Sequence, residues 1–230
     1  MELLYVAVIF ASFSITPITT VDCKNDVCAL KGFRNVACLY VNWTLGPKCK
    51  KVYSTFMTDE EKDVAVTALN EVRMKVAMGL EKRGNPGPQP AASNMRILVW
   101  DAELAFIAQR WLNQCLFYLP NCVDVGRFEA GQFFVATAIN ADSFKKSNVV
   151  LIKELIEFIH SEVEHVNASM VCNYRYNPKA SAFIQTIWAK TYRVGCGKII
   201  HRTDLLDFSM MCVFGPRGNV EGQPVYQMLR

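Results

Sequence analysis

The chain has 230 residues, 51% of them hydrophobic and 20% charged, with a formal net charge of +4. Length and apolar share suit one folded domain with a sizeable core and exclude a disordered chain. The charge is only mildly basic and no Lys/Arg run carries interleaved aromatics, so no nucleic-acid partner is expected.

Residues 1–20, MELLYVAVIFASFSITPITT, are apolar from Leu3 to Phe13 and then turn to Ser, Thr and Pro. That is the pattern of a signal peptide, and it is too short for a membrane span. Cleavage is expected near Thr20, giving a secreted, extracellular protein without stable membrane insertion. All nine cysteines lie beyond that point, which suits an oxidising compartment, and the odd count leaves at least one unpaired within a monomer. Residues 21–54 are rich in Cys, Gly, Asn and Lys without a sustained period, and read as an irregular Cys-rich arm preceding a domain over 55–230. Asn42-Trp43-Thr44 and Asn167-Ala168-Ser169 are N-glycosylation acceptor triplets.

A helix is predicted over 58–83. Thr58-Asp59-Glu60-Glu61 forms a capping box, and Leu69, Val72, Val76 and Leu80 share one face. GNPGPQPAASNM then reads as an extended loop, because its prolines remove amide donors and forbid helical geometry before them. A second helix, capped by Asp101, carries Leu104, Ile107, Ala108, Trp111, Leu112 and Cys115 on one stripe and runs to about Tyr118, before Pro120. GQFFVATA, 131–138, reads as a buried strand, and a third helix covers 149–166. VGCGKII and LLDFSMMCVFG flank HRTD as a two-stranded hairpin. Helices and strands alternate without a βαβ crossover, so the fold class is α+β, as a layered α-β-α arrangement.

Chemistry is hard to find in these residues. His160 and His165 are five apart on one predicted helix and cannot both face one metal, so both are expected at the solvent among Glu162 and Glu164. His201 is placed in the exposed hairpin turn. There is no Gly-x-Ser-x-Gly elbow and no phosphate loop, and Cys115 and Cys122 are expected in disulfides rather than on a metal. No enzyme activity and no cofactor are expected.

GLEKRGNPGPQPAASNMRILVWDAELAFIAQRWLNQC, residues 79–115, closely resembles the central block of the insect venom allergens called antigen-five. These belong to the superfamily of cysteine-rich secretory proteins, antigen-five and plant pathogenesis-related proteins, which share the SCP domain. AGQ at 130–132, IWAKTYRVGCG at 187–197 and CVFGPRGNVEGQPVYQM at 212–228 extend the resemblance over essentially the whole mature chain. It implies a three-layer α-β-α sandwich and disulfides pairing Cys23 with Cys38, Cys28 with Cys122, Cys49 with Cys115, and Cys196 with Cys212, leaving Cys172 unpaired. Many members hold a divalent metal on two histidines and two acidic residues in a central cleft. Here the matching positions carry Leu119, Gln132, Glu162 and Ala182, so the resemblance implies a degenerate tetrad that cannot ligate zinc. Phe133 and Ile159, at positions that are polar or tryptophan in relatives, make that cleft more apolar. The resulting expectation is a secreted, non-enzymatic venom or salivary protein and allergen that acts by binding an extracellular protein. The alternative is a carrier of a small apolar ligand such as a fatty acid or sterol. It is expected to be a monomer unless Cys172 bridges two chains.

Overall fold

Two long strands organise the chain. β4 (Arg193–Arg202) and β5 (Leu206–Gly215) pair antiparallel along their whole length, and both are largely buried. β3 (Gly131–Ala138) joins the other side of β5, and β1 (Lys51–Thr55) pairs with the C-terminal half of β4. β2 (Val99–Trp100) lies parallel to the start of β4, so the sheet runs β1-β4-β5-β3 with β2 beside β4. The structure is a computed structural model that describes residues 21–140, 145–202 and 205–229. The expected signal peptide, and Thr203 and Asp204 of the hairpin turn, lie outside the described residues.

Helices cover both faces. α3 (Ala102–Leu112) packs Leu104, Ile107, Ala108 and Trp111 against one face, with the short α1 (Val36–Leu39) beyond it. This contact is close, because a Cβ on Gly195 of β4 would fall 2.1 Å from the Ala105 backbone nitrogen. The other face carries α2 (Asp59–Ala77), α4 (Asn148–Ser161) and α5 (Ser181–Thr186), with Leu69, Val72 and Val76 meeting Leu155, Ile159, Phe183 and Ile184. This is the expected α-β-α layering. Among the described residues no helix is long and apolar enough to cross a membrane.

Element ends depart from the sequence reading. The capping box at Thr58 forms as expected, Glu61 N–H donating to Thr58 Oγ1 at 3.2 Å and Thr58 N–H to Glu61 Oε2 at 2.7 Å. α2 nevertheless ends at Ala77, turning through Gly79 at φ +68, so Leu80 leaves the apolar face and stands 52% exposed. α3 ends at Leu112 rather than near Tyr118, because the chain turns through Cys115, at φ +51, where Cys49 is bonded to it. α4 tightens into a 3₁₀ turn over Glu162–His165. The arm is more regular than expected: it holds a 3₁₀ turn (Val27–Lys31), α1 and most of β1, which crosses the expected boundary at 54.

Four disulfides join Cys23 to Cys38, Cys28 to Cys122, Cys49 to Cys115 and Cys196 to Cys212. The last pair faces directly across β4 and β5. Cys172 is unpaired and exposed.

Candidate functional site

The contacts of the four tetrad positions form two separate pairs. Gln132, second residue of β3, donates from Nε2 to the Pro120 carbonyl at 2.7 Å, which ties it to the turn carrying Leu119. Its Oε1 is buried and has no partner among the described residues. Leu119 is 42% exposed and offers no ligating atom. Glu162 caps α4 and turns its carboxylate to α5, where Oε2 accepts from the Ala182 and Phe183 amides at 3.0 Å each. α5 lacks a side-chain cap of its own, so Glu162 supplies acceptors for two of its orphan amides. Burial raises the Glu162 pKa, against those two amides and His165, which favour the anion.

These residues do not fit a divalent metal. Leu119 and Ala182 carry no donor, and the one carboxylate is engaged by backbone amides, where zinc needs several nitrogen, sulfur or carboxylate ligands together. Among the described residues, the one convergence of three ligating types is Cys28, Cys122 and Asp124. Those two sulfurs are bonded to each other, so no thiolate is available there. Phe133 and Ile159, expected to line an apolar cleft, are buried in the core instead, Phe133 lying 5.3 Å from the Phe214 ring centroid.

The segment SAFIQ keeps a structural role. Gln185 Oε1 accepts from Gly218 N–H at 2.9 Å and Nε2 donates to Thr191 Oγ1 at 3.3 Å. The amide fits only because Gly131 has no side chain, since a Cβ there would sit 1.9 Å from Gln185 Oε1.

Two histidine expectations are overturned. His160 is 3% exposed rather than at the solvent, its ring stacked 5.9 Å from Phe183 and its Nε2 2.6 Å from Glu81 Oε2. His201 is 1% exposed within β4 rather than in the turn, because β4 runs on through Arg202. Its ring lies under Phe117, centroids 5.5 Å apart, and burial lowers its pKa. His165 is exposed, as expected. Asn42 is exposed, while Asn167 is half-buried and accepts from Ser169 N–H at 2.9 Å.

Three buried charges escaped the sequence reading. Glu81, 1% exposed, takes both Arg83 Nε and Nη2 at 2.9 Å, with Lys75 Nζ at 3.2 Å. Burial opposes its charge, yet Arg83, His160 and Lys75 hold the carboxyl well below the usual glutamate range. Lys198 Nζ, buried beneath α2, meets Glu61 Oε1 at 2.5 Å. Arg73 donates to the carbonyls of Thr186, Trp188 and Thr191 at 2.6–3.0 Å, and also to that of Arg96. It thus pins the α5–β4 connection. For Arg73, an arginine on the apolar face of α2 was the available signal, but its partners are distant in sequence.

Residues 66–214 match the family model described as the cysteine-rich secretory protein family, CAP. The chain is 36% identical over 212 residues to Venom allergen 3 of Solenopsis invicta, covering 90% of this chain and 88% of that protein. With Venom allergen 5 2 of Polybia paulista it shares 39% identity over 209 residues, 88% of this chain and 98% of that one. Among solved structures, BmVAL-1 superposes with a TM-score of 0.63 at 25% identity over 76% of this chain and 85% of its own. Na-ASP-1 gives 0.64 at 26% over 80% of this chain and 45% of its own. The matched segment holds every strand but β1, the cleft residues and the β4–β5 disulfide; this chain belongs to the cysteine-rich secretory protein family, as a member of the venom-allergen type.

Proposed function

We propose that this protein is secreted, has no enzymatic activity, and acts by binding an extracellular partner through loops carried on a disulfide-locked scaffold. The observation that carries the reading is the state of the cleft: Glu162 is committed to the Ala182 and Phe183 amides, Gln132 to the Pro120 carbonyl, and positions 119 and 182 offer no ligand. The allergen names of its relatives support a venom or salivary source. Protein expressed in insect cells and recovered from the medium should begin near Val21 and carry far less than one zinc per chain. Retention in the cell would overturn the secretory reading. Stoichiometric zinc that is lost in Glu162→Gln would overturn the lost metal site.

A carrier role for an apolar molecule is a second reading, and what favours it lies outside the cleft. A groove of about 310 Å³ between α2 and α4 has Ala68, Val72 and Ile156 among its lining, with Lys153 present to meet an acidic head group, while Lys75 is paired with Glu81 and Glu71 and Glu157 also border the groove. Native mass spectrometry of the secreted protein would then show a co-purified fatty acid that leaves on Val72→Trp. A bare protein that fails to displace a fluorescent fatty acid would exclude this role.

A further inference from the structure

The outer edge of β4 is covered by two strands that do not meet. β1 pairs with Ile199 to Arg202, and β2 pairs with Arg193 and Val194, so no strand covers Gly195 to Lys198. β1 leaves the edge because the chain turns at Phe56, which sits at φ +61, a conformation that bulky residues rarely adopt. A side chain closes part of the gap: Gln109 accepts from Lys198 N–H at 3.1 Å and donates to the Lys198 carbonyl at 3.0 Å. On the same edge the Val194 carbonyl takes Asp101 N–H at 2.8 Å. Backbone polar groups alternate sides along a strand. Cys196 lies midway between Val194 and Lys198, so its N–H and C=O point out of that edge. Cys196 also lines a cavity of about 280 Å³.

The walls of that cavity are aromatic. Trp43, Phe56, Trp100 and Phe106 line it, with Ala105 and Lys62. The Trp43 ring meets Phe56 and Phe106 edge-on, each centroid 5.0 Å away, and the Arg110 guanidinium stacks 3.9 Å from its centre. Lys62 is paired with Asp59 at 2.7 Å. The cavity therefore presents ring surfaces, a backbone donor and a backbone acceptor. Apolar walls with a few convergent polar groups characterise small-molecule sites, and this volume suits a molecule of one or two rings.

We infer that this cavity binds a small planar aromatic molecule with an N–H and a C=O side by side on one edge, a cyclic amide or lactam. Its rings lie against the aromatic walls while its amide edge completes the β4 edge at Cys196. The site is independent of the cleft, since positions 119, 132, 162 and 182 take no part in it.

The test titrates the ¹⁵N-labelled full protein with 2-quinolone, a bicyclic lactam, and with its N-methyl derivative, which lacks the donor. The Cys196 amide should shift saturably with 2-quinolone, and the N-methyl compound should bind about tenfold more weakly, the worth of one hydrogen bond. Ala105→Leu fills the cavity, and Phe56→Gly removes a wall while suiting the left-handed backbone. Each should weaken binding about tenfold or more in a protein whose thermal melt shows it folded. A Cys196 amide that never shifts, equal affinity for the N-methyl compound, or unchanged affinity in a folded Ala105→Leu variant would overturn the inference. The two-compound comparison decides even if either variant unfolds.

Discussion

Arg73 shows what one buried cation does here. It lies on the inner side of α2, nearly sealed from water, with its guanidinium spread over four backbone carbonyls from the loops after α5 and before β2. Burial pulls its pKa down, helped by Arg96, yet it stays charged at neutral pH. Arg73→Met would strand those carbonyls without donors and should cost about 3 kcal/mol or more in denaturant unfolding. Arg73→Lys, with a point charge in place of the fork, should recover only part of that loss. Equal stability of wild type and Arg73→Met would show that water takes over these bonds. The sequence made the apolar face of α2 legible but not this residue, because nothing local marks carbonyls more than a hundred positions away. His160 failed for the same reason: its charged neighbours Glu162 and Glu164 imply an exposed ring, while the partner that buries it, Glu81, comes from another element. That positions 119 and 182 carry no ligating atom was legible once the family resemblance had marked those positions, whereas the capture of Glu162 by the α5 amides needs geometry.

At the scale of elements, local signals served starts better than ends. Thr58 and Asp101 announce α2 and α3 through their own side chains, and both caps form. The ends of α2 and α3 are set by backbone turns at Gly79 and Cys115, the latter tied to a cysteine far upstream, and helical periodicity carries no trace of that. β1 and β2 were hidden because Lys51–Thr55 and Val99–Trp100 are short and gain their pairing only from β4. The disulfides matter for stability according to the chain they close, rising slowly with its logarithm. Cys49–Cys115 spans 66 positions, and its removal by paired Cys→Ala changes should cost about 4 kcal/mol. Cys196–Cys212 spans only 16 positions on strands that already pair, and should cost about 3 kcal/mol. Denaturant midpoints for the two double variants check the order, which a larger loss at the β4–β5 pair would reverse.

For the molecule as a whole, the buried carboxylates set the response to acid. Glu61, Glu81 and Asp101 are all held below their ordinary values despite burial, by Lys198, by Arg83 and by Arg127 respectively. Each binds protons more weakly folded than unfolded, so its stabilisation is present above the ordinary carboxylate range, about pH 4, and lost as pH falls below it. His201 acts earlier. Burial depresses its pKa, so the unfolded chain takes up its proton first and stability begins to fall below about pH 6.5. Melting temperatures taken across pH should therefore decline in two stages, gently and then steeply, and His201→Gln should erase the first. A flat profile down to pH 4 in wild type would rule out the histidine contribution. The stapled arm adds a property that concerns breakage rather than folding. Cys28 is bonded to Cys122, so a protease cutting after Lys48 separates two pieces that stay covalently joined. Such a nicked molecule would migrate as intact on a non-reducing gel and as two bands after reduction, its surface still displayed to whatever recognises it.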